Sequence, residues 1–358
     1  MILVAKVKLL PTTDQSVILR DTLEQVNAAC NWLSEQAWEQ KVFQQFSLSK
    51  LFYYPIREKF GLSANIVVRL IAKVADAYKK DRRSLRHFRS HGAIDYDDRV
   101  LRWYVTKAEV SILTVDGRQH MPFVCGEKQR RLLEQRQGQS SLALVDGKFY
   151  LLACCNVETP DPSDVKDFLG VDLGIVSIAT DSDGTTYSGA EVNGLRHRHR
   201  RLRQKLQTKG TKSATRLLKK RSGKESRFAA DVNHKISKSL VATAQGTGRG
   251  LALEDLKGIS GRVSVRKSQR ATLHSWSFFQ LRSFVGYKSA LAGVLLVTVD
   301  PRNTSRTCPS CGHIAKANRP TQAKFLCVSC GFSGPADHIA AINIGRRAVT
   351  DQPYAAVA

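Results

Sequence analysis

Four cysteines and three carboxylates are the residues whose types and spacing promise chemistry. The cysteines run Cys308-Pro-Ser-Cys311, then fifteen residues, then Cys327-Val-Ser-Cys330. Each pair sets two sulfurs on one tight turn, and two pairs at this separation match a four-thiolate zinc site. Gly312 and Gly331 follow the second cysteine of each pair, where the turn calls for a residue without a Cβ. Two disulfides or scattered core cysteines are the competing account. Four thiolates close the coordination sphere of Zn²⁺, so a site of this kind is scaffolding with no open position for catalysis. The carboxylates are Asp172, Glu254 and Asp337, each next to a break in local structure. Oxygen-only ligands suit Mg²⁺ or Mn²⁺ better than zinc. Two such ions about 4 Å apart can activate water and steady the leaving 3′ oxygen in phosphodiester hydrolysis. Without a cation, clustered carboxylates repel one another. Three unrelated residues, with Asp337 only an N-cap, is the alternative reading.

The elements that position these acids can be read from periodicity. Phe168 to Ala179 is a buried strand, a glycine break and a second strand, followed by a hairpin turn at Asp181-Ser182-Asp183-Gly184. An aspartate at position 172 inside so apolar a run is either a hydrogen-bonded structural residue or a metal ligand at a strand end, because an unpaired buried carboxylate is costly. Gly250 to Leu253 is a short strand that ends in Glu254, and Gly293 to Val299 is another that delivers the chain to the cysteines. Gly334-Pro335-Ala336-Asp337 opens a helix with Ala340, Ala341 and Ile344 on its packed side. Strand ends at one sheet edge beside a helix mouth would gather the three acids. Between the strands, Ile259 to Thr272 reads as a basic loop.

Upstream, Met1 to Leu10 reads as a strand, too short and lysine-interrupted for a signal peptide. That predicts a cytoplasmic chain with reduced thiols. Cys30, Cys125, Cys154 and Cys155 lack ligand spacing and read as buried small hydrophobes. Thr12 and Gln15 form a capping box before a helix to about Glu39 that carries Leu19, Leu23, Val26, Cys30, Leu33 and Ala37 on one face. Ser63 caps another helix, which bears Val67, Leu70, Ile71, Val74 and Tyr78. From Leu101 the period changes to two, and five strands alternate with turns as far as Leu151. Residues 1–157 therefore read as a β-barrel-like module with a helical insertion near 14–90, and 158–167 as a Pro/Asp-rich linker.

Charge points to the partner. Lys and Arg number 56 against 31 Asp and Glu, a formal net charge of +25. Self-repulsion of that size signals a polyanion, nucleic acid first. No run approaches the length of a membrane-spanning helix. Two segments concentrate the charge. Fourteen Lys or Arg fall within 196–227, including Arg196, Arg198, Arg200, Arg201, Arg203, Lys219, Lys220 and Arg221, with Glu225 as the sole acid. The other segment, 79–89, holds Lys79, Lys80, Arg82, Arg83 and Arg86. Both read as helices laid along a phosphate backbone, or as solvated faces. Tyr53 and Tyr54 are either base-stacking groups or core aromatics.

The segments Gly170-Val171-Asp172-Leu173-Gly174, Leu253-Glu254-Asp255-Leu256, Asp300 through Cys308 to Gly312, and Asp337 with Ala340-Ala341-Ile342-Asn343-Ile344 resemble the TnpB (OrfB-type) transposon nucleases, regarded as ancestors of the type V CRISPR effectors. The resemblance spans the chain, more strongly over 168–346 than over 1–157. It implies an α/β multidomain fold: an N-terminal wedge β-barrel with an inserted helical recognition lobe, then a RuvC (RNase H-like) nuclease domain over 168–346. A zinc ribbon, about 303–334 and including Arg306, would be inserted to bind target nucleic acid, and 347–358 would be a flexible tail. The activity implied is Mg²⁺-dependent cleavage of double-stranded DNA beside a short motif, directed by a guide RNA, one chain per guide. Asp172, Glu254 and Asp337 would be catalytic. A guided DNA binder that no longer cuts, a miniature type V effector and an unguided zinc-ribbon factor are the other readings. One departure stands out: the family often has Asn two residues after the last Asp, and this chain has Ile339 after His338.

Overall fold

Alternating burial along β1 (Ile2–Leu9) marks a strand with one face on a core. The chain then enters α1 (Thr13–Glu39), where the Gln15 N–H donates to Thr12 Oγ1 at 3.2 Å and the Thr12 N–H to the Gln15 side chain at 3.1 Å. The expected capping box is present. α2 (Gln45–Phe60) holds Pro55 in its interior, which removes a backbone donor and masks the helix in a sequence reading. α3 (Ala64–Lys80) follows. Ser63 sits at its N-cap position but makes no capping bond, contrary to expectation, and its hydroxyl is buried without a partner.

Six more strands complete the first sheet: β2 (Ile94–Tyr96), β3 (Leu101–Tyr104), β4 (Glu109–Thr114), β5 (Gly117–Val124), and, after α4 (Glu127–Glu134), β6 (Arg136–Val145) and β7 (Lys148–Asn156). Their order is β2-β6-β7-β1-β5-β4-β3, with β1 in the middle. The two edge strands, β2 and β3, are consecutive in the chain, so the sheet curls until its ends meet and is nearly closed. This unit, Met1–Glu158, is one of two compact units; the other is Thr159–Ala358. The computed structural model describes residues 1–256 and 278–355, so the expected loop from 259 to 272 lies outside the described residues.

The second unit opens with an antiparallel meander of β8 (Phe168–Asp172), β9 (Ser177–Asp181) and β10 (Thr186–Ser188). A helical hairpin follows, α5 (Ala190–Lys209) and α6 (Lys212–Gly246), turned by Gly210 at φ 62°. Next come β11 (Gly250–Glu254), α7 (Phe278–Ala292) and β12 (Leu296–Val299). β8, β11 and β12 are parallel neighbours in the order β10-β9-β8-β11-β12. Between β12 and the last helix lies a small ribbon of β13 (Lys324–Leu326) and β14 (Ser333–Pro335). The chain ends in α8 (Ala336–Ala355). The expected tail from 347 is helical through Ala355, and at its start Ala348 is fully buried.

Alternation divides the sheet into two packed faces. Leu169, Val171, Leu251 and Leu253 pack against Ile236, Leu240 and Val241 of α6 and Leu281 and Val285 of α7. Phe168, Ala252, Val297 and Val299 face Ile344 and Ala348 of α8. That second face admits the helix backbone directly. A Cβ on Gly170 would fall 2.0 Å from the Ala341 carbonyl oxygen, and one on Gly345 would fall 2.8 Å from the Phe168 carbonyl oxygen. Glycine at both positions lets strand and helix touch. Among the described residues no helix is long and apolar enough to cross a membrane.

Candidate functional site

Register places the acids. Val171 of β8 stands opposite Leu253 of β11, so Asp172 and Glu254 follow at one level on adjacent parallel strands, a spacing of about 4.8 Å. By alternation both side chains leave on the α8 face. Asp255, one residue on, leaves on the other and accepts from Arg282 Nη1 of α7 at 2.7 Å. α8 runs antiparallel to β8, since Gly345 lies over Phe168 and Ala341 over Gly170. Eight helical residues from Gly345 back to Asp337 climb about 12 Å. Four strand steps from Phe168 to Asp172 cover about 13 Å. Asp337 therefore arrives at the edge where Asp172 and Glu254 emerge.

The three acids also interact electrostatically. Burial, then the negative charges of Glu254 and Asp337, push Asp172 up to about 7, while Arg319 and the Leu173 N–H pull it down. Burial also raises Glu254, against the Thr304 hydroxyl and the charges of Arg347 and Arg319. The Thr304 hydroxyl donates to Glu254 Oε1 at 2.5 Å. Thr304 is itself fixed from α8, whose buried Asn343 donates to the Thr304 and Thr307 carbonyls at 2.7 and 2.8 Å. Arg319 Nη2 stands 3.3 Å from Asp337 Oδ1. Thr304 and Arg319 have no roles in the sequence reading. Thr304 falls inside a quoted motif, but an arginine at 319 in a polar stretch carries no local signal.

The departure at position 339 has a structural account. Ile339 is buried with Cys308, Phe325, Cys327 and Ala336 in the core under the ribbon. Its side chain serves the scaffold. His338, by contrast, places Nε2 3.1 Å from the Ser182 carbonyl at the β9–β10 turn.

The cysteine site is tighter. Among the described residues, Cys308, Cys311, Cys327 and Cys330 are the one set of three or more His, Cys, Asp or Glu whose ligand atoms all lie within 4.8 Å. The three carboxylates do not close that far. Cys308 Sγ and Cys330 Sγ are 3.6 Å apart, as are Cys311 Sγ and Cys327 Sγ. A disulfide would hold them at about 2.05 Å, whereas a tetrahedron with Zn–S bonds of about 2.3 Å sets them at about 3.8 Å. The set fits a metal such as zinc. Both turns have the same build: Gly312 and Gly331 each lie at φ 74° and donate to the Cys308 and Cys327 carbonyls. The Cys330 N–H helps draw the Cys327 thiol down to about 6. Against the Phe332 N–H, neighbouring thiols push Cys330 up to about 12. Buried Asn318 ties the knuckles together, donating to the Arg306 and His313 carbonyls and accepting from the Val328 N–H. Of the other cysteines, Cys30 and Cys155 are buried as expected, but Cys125 and Cys154 are only half-buried, because Cys154 alternates onto the less buried face of β7 and Cys125 lies just past the end of β5.

The basic hairpin over 196–227 is helical as expected, whereas 79–89 differs from expectation in form. α3 stops at Lys80, since Asp81 is extended at φ −159°. Residues 82–89 are then a strap rather than a helix, held by one face of α1: Ser34 donates to the Arg86 carbonyl, and Asn31 brackets Phe88. Arg86 is paired with Asp81, and Lys79 with Asp76. Lys80, Arg82 and Arg83 are exposed. In the hairpin, Glu225 gathers His199 and Arg203 at 3.2 Å each, and Arg196 is half-buried. Arg198, Arg200, Arg201, Lys219, Lys220 and Arg306 are exposed, while Arg221 is half-buried. Tyr54 is exposed and Tyr53 half-buried, their rings edge to face at 5.1 Å.

Two family models and several known proteins match parts of this chain. Residues 153–258 match the OrfB_IS605 family model, described as a probable transposase, and residues 278–344 match the model of the Cas12f1-like TNB domain. The chain is 28% identical over 204 residues to the CRISPR-associated endodeoxyribonuclease Cas12f1 of Syntrophomonas palmitatica, which covers 52% of this chain and 40% of that protein. It is 33% identical over 148 residues to the TnpB-like protein MJ0751 of Methanocaldococcus jannaschii, covering 41% of this chain and 52% of that one. The chain thus spans about half the length of these relatives or less. Among solved structures, a Cas12f1–sgRNA–target DNA complex superposes with a TM-score of 0.61 at 16% identity, over 93% of this chain and 83% of that chain. At that identity the likeness speaks for the fold.

Proposed function

The chain is related to the OrfB-type transposon proteins that include TnpB, and on that premise we propose that it is an RNA-guided endonuclease that hydrolyses double-stranded DNA beside a short motif. One observation carries the reading: Asp172 and Glu254 leave adjacent parallel strands at one level, and α8 brings Asp337 to the same edge. In this reading residues 168–346 form a RuvC-like (RNase H-like) domain, supported by a meander of three strands extended by two parallel ones with helices on both faces. Residues 1–157 form the wedge barrel with its helical recognition insertion, and 303–334 a zinc ribbon.

The three acids form an oxygen-only, mutually repelling set, the donor chemistry that suits Mg²⁺ or Mn²⁺. A divalent cation bound there supplies charge neutralisation and an activated water for phosphodiester hydrolysis. The chain's own groups do the rest. Thr304 orients Glu254, and Asp172, held near 7, gives up its proton readily when positive charge arrives. Arg319, beside Asp337, offers its guanidinium to an incoming phosphate. The exposed Arg198, Arg200, Arg201, Lys219 and Lys220 hold guide RNA and heteroduplex through phosphates, a contact that weakens steeply with salt. Sequence is then read by pairing and the short motif by the protein, with Tyr54 free to stack. The setting is a prokaryotic cytoplasm, with one chain per guide.

The test is purification with bound RNA, sequencing of that RNA, and incubation with matching DNA and Mg²⁺. Asp172→Ala, Glu254→Ala and Asp337→Ala should each abolish cutting and leave guided binding in place. Full cutting by any one of them overturns the reading. The Arg319–Asp337 ion pair, which occupies one acid, favours a second reading, a guided binder that does not cut. The unaltered protein in the same assay separates the two.

A further inference from the structure

Beside the acids lies a cavity of about 390 Å³ that their chemistry leaves unused. Its walls come from β9 and β10 (Thr180, Thr186), the ribbon (Gln322, and Pro335 at the end of β14), and the start of α8 (Asp337, His338). We propose that this cavity receives the base and sugar of one nucleotide of the strand being cut, with Thr186 and Gln322 as its selecting contacts. The inference rests on the nuclease reading and deepens it.

Size and chemistry both support it. The volume falls in the range of ordinary small-molecule sites, about 300–1,000 Å³. Neither Lys nor Arg is among the described residues that line it, and its one carboxylate, Asp337, is paired with Arg319. Such a lining suits a neutral group with hydrogen-bonding edges and a flat apolar face better than a phosphate. Thr180 and Thr186 present hydroxyls to each other at 3.4 Å across the strands, and Gln322 adds an amide that donates and accepts. Pro335, together with Val176 at 64% exposure, supplies apolar surface at the rim. His338 Nε2 faces the Ser182 carbonyl and is the donor of that bond. Because Asp337 belongs both to this wall and to the acid cluster, an occupant sits next to the phosphodiester under attack. Enzymes that act on a base hold it in a pocket by hydrogen bonds to its edge and by stacking, and the same contacts here would fix the strand.

The experiment uses the RNA-loaded chain and a series of target duplexes, each with one abasic residue stepped through the cut region. The unaltered protein should slow about tenfold at a single position adjacent to the cut, the loss of one stacked and hydrogen-bonded base. Thr186→Trp, on the exposed edge strand β10, fills the cavity. It should cut the ordinary target about tenfold more slowly with guided binding unchanged, and should lose the abasic position effect. Gln322→Ala should change which base is preferred at that position. A melting curve checks that each variant folds; should Thr186→Trp fail to fold, the abasic scan of the unaltered protein decides. A flat scan, or a Thr186→Trp variant with native rate and native scan, overturns the pocket while the nuclease reading stands. An unaltered protein that cuts nothing overturns both.

Discussion

Four thiols and three carboxylates occupy the same unit, and the segment around the ribbon supplies parts to both. The thiols are assembled by the chain's nearest neighbours. Two turns of the same build, each locked by a glycine at φ 74°, hold all four Sγ atoms within 4.8 Å. Thiols that keep protons between them tolerate that crowding, and a metal then displaces those protons. The carboxylates come from β8, β11 and α8, and do not close to the same distance. Ionised oxygens at that range repel, so strand spacing keeps them apart while Thr304 and Arg319 satisfy one oxygen each. A closed cluster scaffolds; in the proposed reading the open one, short of positive charge, takes a divalent cation and the phosphate it binds.

The sharpest test of the contrast is loss of cutting without loss of structure. Alanine at 172, 254 or 337 should lower the cleavage rate about a thousandfold or more, with melting temperature and guided binding near native. Cysteine substitution should do the reverse. Cys311→Ser should lower melting temperature, binding and cutting together, because structural zinc contributes about 10–16 kcal/mol of apparent folding energy. Metal analysis should find about one zinc per native chain; intact protein without zinc would break the comparison on that side.

A third consequence concerns pH. Asp172 lies near 7 in the folded chain against an ordinary 3.8. The folded state thus holds this proton more tightly than the unfolded one. Its contribution to stability is whole below about pH 4 and drains away as the pH rises to about 7. Glu254 is raised too and acts in the same direction. In zinc-loaded, Mg²⁺-free protein, Asp172→Asn should flatten that slope and raise the denaturation midpoint at pH 8 while abolishing cutting. An unchanged slope in chemical denaturation would show that Asp172 does not carry the strain. The smallest effect belongs to the orienting hydroxyl. Thr304→Val should lower the cutting rate about 10–100-fold, and Thr304→Ser should restore most of it. Equal rates for the two would assign Thr304 a packing role only.

Much of this molecule obeys short-range rules. The Thr12–Gln15 capping box, the glycine after each cysteine pair and the alternation along β8 and β11 depend on residues a few positions apart, so composition and spacing suffice to find them. The same alternation explains why Glu254 and Asp255, neighbours in sequence, serve opposite faces of the sheet. Which face is which cannot be read locally. It follows from α8 lying on Gly170 through Gly345, a contact between residues far apart in the chain. That contact also brings Asp337 to Asp172, and the ribbon brings Arg319 to Asp337 from a stretch with no motif of its own. Which basic side chains are tied up was likewise settled by folding, as Glu225 gathered His199 and Asp81 gathered Arg86. Turn chemistry and periodicity act through bonds and near neighbours, whereas a buried charge takes its environment from whatever register and helix packing set beside it.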